Sequence, residues 1–136
     1  KERVTDSYLE KVLSLARERV HTLAELPEAS AYFFGGPPEY DATLLAWKDA
    51  APGETLVKLE RIRAFLAMEG EWTQETLERR TKSFIETEAL GIGETLWPMR
   101  VALTGRKASP SPFEVAATLG KERTLARIAH AIQKLS

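Results

Sequence analysis

One arginine in the second half of the chain stands out for the chemistry that its surroundings offer. Arg100 follows Trp97–Met99 and precedes an apolar run that stops at Thr104-Gly105. A proline-containing loop at Ser109–Pro112 comes next, and the helix start Gly120–Arg123 closes the series. The guanidinium of arginine is a planar fork that can both hydrogen-bond a base edge and stack on a ring. The order of these short segments along the chain, more than any one of them alone, is the informative feature of the sequence.

The residues that would indicate catalysis or a bound metal do not form any known pattern. The two histidines, His21 and His130, fall on separate predicted helices, and there is no cysteine to join them as a ligand. Gly91–Gly93 is too short for a dinucleotide-binding fingerprint, and Gly120-Lys121 lacks the upstream glycine of a phosphate-binding loop. We therefore expect no catalysis and no cofactor or metal in this chain.

Composition places the chain among ordinary globular proteins and narrows its possible partners. It has 136 residues, of which 43% are hydrophobic and 29% are charged, with a net charge of −1. That balance argues against a general nucleic-acid binder, but residues 89–136 hold 7 basic and 3 acidic side chains, an excess that favours phosphates. No apolar run approaches the length of a membrane span. The absence of cysteine excludes disulfides and agrees with a cytoplasmic location.

Helical periodicity dominates the chain and predicts an all-α fold. Apolar residues recur at spacings of three and four, and no stretch alternates as a strand would. The predicted helices run over 6–25, 28–34, 41–48, 54–68, 73–88, 94–103, 111–119 and 122–135. Ser111 is the expected cap of the seventh helix, with Pro112 first and Glu114 third. Gly35–Pro38 cannot continue a helix and is the clearest boundary.

Several short segments, in order, carry a resemblance that covers essentially the whole chain. Arg19–Pro27 with Tyr32–Phe34, then Glu71–Thr73, then the series around Arg100 resemble the C-terminal anticodon-binding region of bacterial glutamyl-tRNA synthetases. The resemblance implies an α-helical cage of two small subdomains. Residues 1–36 would form the end of the first subdomain, and residues 37–136 the second.

The resemblance also implies which residues contact tRNA. By position in the family, the anticodon-contacting residues are Arg19, Lys82, Arg100, Ser109, Pro110, Ser111 and Pro112. The anticodon offers unstacked bases with open edges, which arginine reads well. An arginine at position 19 would face the third anticodon base and favour a discriminating enzyme. As an alternative, Arg100 pairs on a helix surface with Glu94 or Glu114.

The sequence departs from the family pattern at two of these places. Many relatives have Pro-Gly-Leu where this chain has Pro110-Ser111-Pro112, so an apolar base contact there would come from a proline ring. Lys82 stands where arginine is frequent and offers a point charge for phosphate in place of a fork for a base. The tryptophans at 47, 72 and 97 could be stacking platforms, but their positions favour core packing.

The parent protein implied by the resemblance is a glutamate–tRNA ligase. Its ATP and magnesium would be handled by an N-terminal catalytic domain, because this chain lacks the HIGH and KMSKS signatures of class I synthetases. The chain begins at Lys1 without methionine, so we expect a fragment, inactive alone, of a monomeric enzyme. Its partners would be the anticodon loop of glutamate tRNA and that catalytic domain. Two alternatives are a non-discriminating glutamyl or class I lysyl enzyme, and a helical protein-interaction module without RNA binding.

Overall fold

The structure is a computed structural model that describes residues 6–17 and 31–136, and within these ranges it contains helices and turns but no strand. The all-α prediction is confirmed. The α-helices of the described residues are α1 (Asp6–Arg17), α2 (Pro52–Ala67), α3 (Gln74–Thr87), α4 (Ile92–Thr104), α5 (Pro112–Leu119) and α6 (Lys121–Leu135). Two 3₁₀ helices cover Ala31–Phe33 and Ala42–Leu45.

Several of these boundaries follow from local chemistry. The Thr73 hydroxyl accepts from the Thr76 N–H and caps α3, while Ser111 and Glu114 form a reciprocal capping box at the start of α5, both as predicted. Asp41 caps the 3₁₀ helix of residues 42–45 by accepting from the backbone N–H and hydroxyl of Thr43. These hydrogen bonds favour the carboxylate and lower the pKa of Asp41.

Other boundaries differ from the sequence prediction. Helix α2 begins at Pro52, two residues before the predicted start at 54, and proline suits the first position because no helical hydrogen bond needs its missing N–H. The helix expected over 41–48 is a short 3₁₀ turn, and α4 starts at Ile92 and holds Pro98 in its interior. The first helix is predicted to reach residue 25. The part of this prediction beyond Arg17 falls on residues outside the described ranges.

Helix α4 lies at the centre of the fold and supplies its most buried segment. Met99, Val101, Ala102 and Leu103 are fully buried, and α4 contacts α2, α5, α6 and the 3₁₀ helix of residues 42–45. The core joins α4 to the last two helices: Leu103, Phe113, Leu119 and Ile128 are buried together, and Trp97 and Leu125 pack against them. Helices α2 and α6 pack along each other and close this core on one side.

One hydrophobic cluster runs through the described residues on both sides of position 36. It includes Tyr8, Val12 and Phe33 together with the core of α2 to α6. The Tyr8 hydroxyl donates to the Phe33 carbonyl, and α1 contacts α5. The described residues before and after position 36 therefore share one core. The division into two subdomains at residue 36 stays a prediction.

Candidate nucleic-acid interface

Arg100 is held by the loop that follows its own helix. Its Nη1 donates to the Ser109 carbonyl at 2.7 Å, to the Ser109 hydroxyl at 3.0 Å and to the Pro110 carbonyl at 3.1 Å. Ser109 Oγ in turn donates to the Pro110 carbonyl at 2.8 Å. The Arg100 side chain is half-buried. These contacts fix the guanidinium and the loop in one arrangement, because hydrogen bonds to a charged group are stronger than neutral ones.

The loop itself is more buried than its proposed role in binding would require. Ser109 is 8% exposed, Pro110 and Pro112 are buried, and Ser111 is half-buried while its hydroxyl caps α5. The rings of the two prolines are therefore covered by neighbouring residues in the free chain. The polar groups of the loop hold Arg100 and the start of α5.

Lys82 reaches the same end of α5 from helix α3. Its Nζ lies 2.8 Å from Glu78 Oε2, one turn earlier on α3, and 6.0 Å from the centre of the Phe113 ring. The side chain is about half exposed, at 45%. Helices α3 and α5 are in contact, and Lys82 lies near Phe113 in the first turn of α5, while Arg100 contacts the loop just before that turn. Arg19 lies outside the described residues.

The tryptophans are packing residues, as their positions predicted. Trp72 Nε1 donates to the Ala116 carbonyl at 2.8 Å, and Trp97 Nε1 donates to the Leu44 carbonyl at 2.9 Å. The Trp47 and Trp97 rings lie 5.8 Å apart. A Cβ at Gly93 would stand 2.7 Å from the Trp47 ring, so only glycine permits this approach.

Two arginines have structural positions that the sequence did not single out. Arg127 is 1% exposed and donates to the carbonyls of Tyr32 and Leu103, and more distantly to that of Gly35. Arg106 lies over the Tyr32 ring, with its guanidinium carbon 5.1 Å from the ring centre. Sequence spacing offered no signal for either arginine, because their partners are 24 to 95 residues away in the chain.

The described ranges contain neither a group of metal-binding side chains nor a membrane-spanning helix. Within residues 6–17 and 31–136, no three histidine, aspartate or glutamate side chains group closely enough to hold a metal ion. No helix in the same ranges is long and apolar enough to cross a membrane.

The sequence matches the family described as anticodon binding domain over residues 2–132. The chain belongs to this family. The anticodon-binding domain is 40% identical over 127 residues to the glutamate–tRNA ligase of Desulforudis audaxviator, covering 92% of this chain and 25% of that protein. It is 37% identical over 124 residues to the glutamate–tRNA ligase of Herpetosiphon aurantiacus, covering 91% of this chain and 25% of that protein.

Solved structures give the same result for the fold. A glutamate tRNA ligase from Elizabethkingia meningosepticum, solved in complex with its amino acid, superposes with a TM-score of 0.81 at 26% identity. The match covers 98% of the anticodon-binding domain and 26% of that chain. The domain thus spans about a quarter of the length of the relatives that it matches.

Proposed function

We propose that this anticodon-binding domain is the part of a glutamate–tRNA ligase that reads the anticodon of glutamate tRNA. The observation that carries the proposal is the fixed Arg100 guanidinium, with three hydrogen bonds from Nη1 to Ser109 and Pro110. A side chain that is already ordered loses little conformational entropy on binding, so its contacts contribute more to affinity. A preorganised planar fork suits the exposed edge of an unstacked base.

Of the other residues proposed to contact tRNA, one supplies charge and the rest shape the site. Lys82 supplies a positive charge for phosphate, and its pairing with Glu78 holds it beside the start of α5. Ser109, Pro110, Ser111 and Pro112 position Arg100 and form the wall beside it. Arg19 completes the site from the first subdomain, where it faces the third anticodon base and makes the enzyme discriminate against glutamine tRNA.

The remaining activities belong to the rest of the proposed ligase. Joining glutamate to tRNA requires ATP and magnesium, which we assign to a catalytic domain outside this chain. In this proposal the ligase acts as a monomer in the cytoplasm. The anticodon-binding domain supplies binding energy and anticodon identity to the reaction.

Binding of the 136-residue chain to RNA tests this function. We expect salt-dependent binding to glutamate tRNA, because contacts to phosphates release counterions. We also expect at least about tenfold weaker binding to the same tRNA with its anticodon replaced, as the loss of one arginine–base contact implies. Equal affinity for both tRNAs would contradict anticodon reading. No binding at low salt by the folded chain would favour a protein-interaction module.

A further inference from the structure

A cleft of about 380 Å³ lies between residues 31–39 and the turn that follows α4. One wall contains Tyr32, Phe34 and Pro37, and the other contains Thr104 and Arg106. Glu39 also lines the cleft and is exposed. None of the residues predicted from the sequence to contact the anticodon lines it.

Arg106 is the side chain that gives this cleft its binding chemistry. It is half-buried and lies over the Tyr32 ring, yet its guanidinium makes no hydrogen bond or ion pair with any residue in the described part of the chain. A guanidinium carries five N–H donors. The contact with the Tyr32 ring leaves the N–H donors to an acceptor, and phosphate oxygens match the planar fork of a guanidinium in two parallel hydrogen bonds.

Both walls of the cleft are held in place by contacts beneath them. Gly105 has φ of +70° and ends α4, and a Cβ there would lie 3.1 Å from Pro38 Cβ, so the turn packs tightly on the opposite wall. Thr104 Oγ1 donates to the Arg100 carbonyl at 2.9 Å and accepts from the Arg106 N–H at 3.1 Å. Buried Arg127 donates to the carbonyl of Tyr32 in one wall and to the carbonyl of Leu103, the residue before Thr104 of the other wall.

We propose that the Arg106 cleft binds a phosphodiester of the RNA strand next to the base that Arg100 reads. The inference rests on the proposed function and adds a backbone site to it. Arg106 is three residues from Ser109, so their Cα atoms are at most about 11 Å apart. One strand can therefore pass from the Arg100 loop to the cleft within a few nucleotides. The adjacent Lys107 is exposed and is not among the residues that line the cleft.

Neutral backbone linkages test the site directly. The whole ligase is titrated with a series of glutamate tRNAs, each carrying one methylphosphonate linkage in the anticodon loop. For the unmodified enzyme, we expect one linkage near the Arg100-bound base to weaken binding by about tenfold or more, as for other charge-assisted bonds. The variant Arg106→Gln should weaken binding to unmodified tRNA by a similar factor and be insensitive to that linkage. Its salt slope should fall by about 0.7.

Matched variants separate a built site from general charge. Lys107→Gln removes the same charge from the adjacent residue and should leave the sensitivity to that linkage intact. Arg106→Lys keeps the charge without the fork and should keep the salt slope while losing part of the affinity. If Arg106→Gln has a lower Tm than the wild type, the phosphodiester contact is tested by the linkage series with the wild type and Arg106→Lys alone.

Three results would overturn the inference. In the first, no methylphosphonate linkage in the series weakens binding. In the second, Arg106→Gln binds with the affinity and salt slope of the wild type. In the third, Lys107→Gln weakens binding and removes the sensitivity to the linkage as fully as Arg106→Gln does. Failure of the proposed function gives a different result. In that case the wild-type ligase binds glutamate tRNA equally well after its anticodon is replaced, a result that does not depend on Arg106.

Discussion

Arg100 Nη1 donates to the Ser109 carbonyl oxygen at 2.7 Å, so the last turns of α4 and the loop before α5 are locked together by one side chain. In the proposed site this bond has two effects. It holds the loop, and it fixes the guanidinium beside the first turn of α5.

Replacing Arg100 should therefore weaken use of glutamate tRNA. An arginine contact to a base edge is worth about 1–3 kcal/mol, so Arg100→Ala should lower kcat/KM for charging by about tenfold to a hundredfold. Arg61→Ala is the matched control, because Arg61 forms an exposed ion pair with Glu88 and surface pairs contribute little. Charging kinetics of the whole ligase provide the measurement. Full activity of Arg100→Ala would remove this residue from the site.

Lys82 and Glu78 should have opposite effects on RNA affinity. Lys82→Gln removes a phosphate contact and should weaken binding equally for all anticodon sequences, with a salt slope smaller by about 0.7 to 0.9. Glu78→Gln removes the carboxylate that competes for Lys82 and should tighten binding modestly. Titrations of both variants at several salt concentrations check this. Changes of the same sign in the two variants would contradict it.

Phe113 should be a major contributor to stability. Its side chain is 2% exposed in the core between α3, α4 and α5, and truncation of a buried phenylalanine costs about 3–5 kcal/mol. Thermal melting of Phe113→Ala should show a large fall in Tm. Met68→Ala is the control, because Met68 is 87% exposed and should change stability by less than about 0.5 kcal/mol. An unchanged Tm for Phe113→Ala would show that the core is packed differently.

Tyr40 should make stability fall at alkaline pH. Burial, and secondly the charge of Glu39, raise the pKa of Tyr40 to about 12 from its usual value of 10.0. The unfolded chain loses this proton first as pH rises, so the stabilisation is complete below about pH 10 and is lost between about pH 10 and pH 12. Denaturation curves across this range, with Tyr40→Phe for comparison, provide the test.

The phenylalanine variant should show a weaker alkaline loss. It should also keep full stability at neutral pH, because the Tyr40 hydroxyl is buried without a hydrogen-bond partner among the residues described. A Tyr40→Phe variant that follows the same alkaline curve as the wild type would assign the loss to other groups.

Features whose contacts join residues close in sequence were predictable. The Ser111–Glu114 capping box was predictable because all its hydrogen bonds join residues within three positions. The start of α2 at Pro52, before the predicted start at 54, was harder to predict, because proline suits both the end of one element and the first turn of the next.

The candidate site was predictable to a smaller extent. Family position named Arg100 and the loop, and the structure brings them into contact. The burial of Pro110 and Pro112 could not be predicted, because it depends on how the loop packs on α5 and its neighbours. The roles of Arg106 and Arg127 depend on segments distant in sequence, which no spacing pattern reveals.

Arg19 lies outside the described residues, and its proposed role rests on family position. It is proposed to face the third anticodon base, which is C in glutamate tRNA and G in glutamine tRNA. We expect the wild-type ligase to prefer the C-ending anticodon, and Arg19→Gln to accept both, because a neutral glutamine amide tolerates either base more readily than a guanidinium does.

The most direct test is charging of glutamate tRNA variants in which each anticodon base is replaced in turn, measured as kcat/KM for the wild-type ligase. The account predicts a loss of at least about tenfold for the change of C to G at the third base. It also predicts that Arg19→Gln removes this loss and that Arg100→Ala reduces the loss at another base. Wild-type charging that is unaffected by every anticodon replacement would contradict anticodon recognition by this chain.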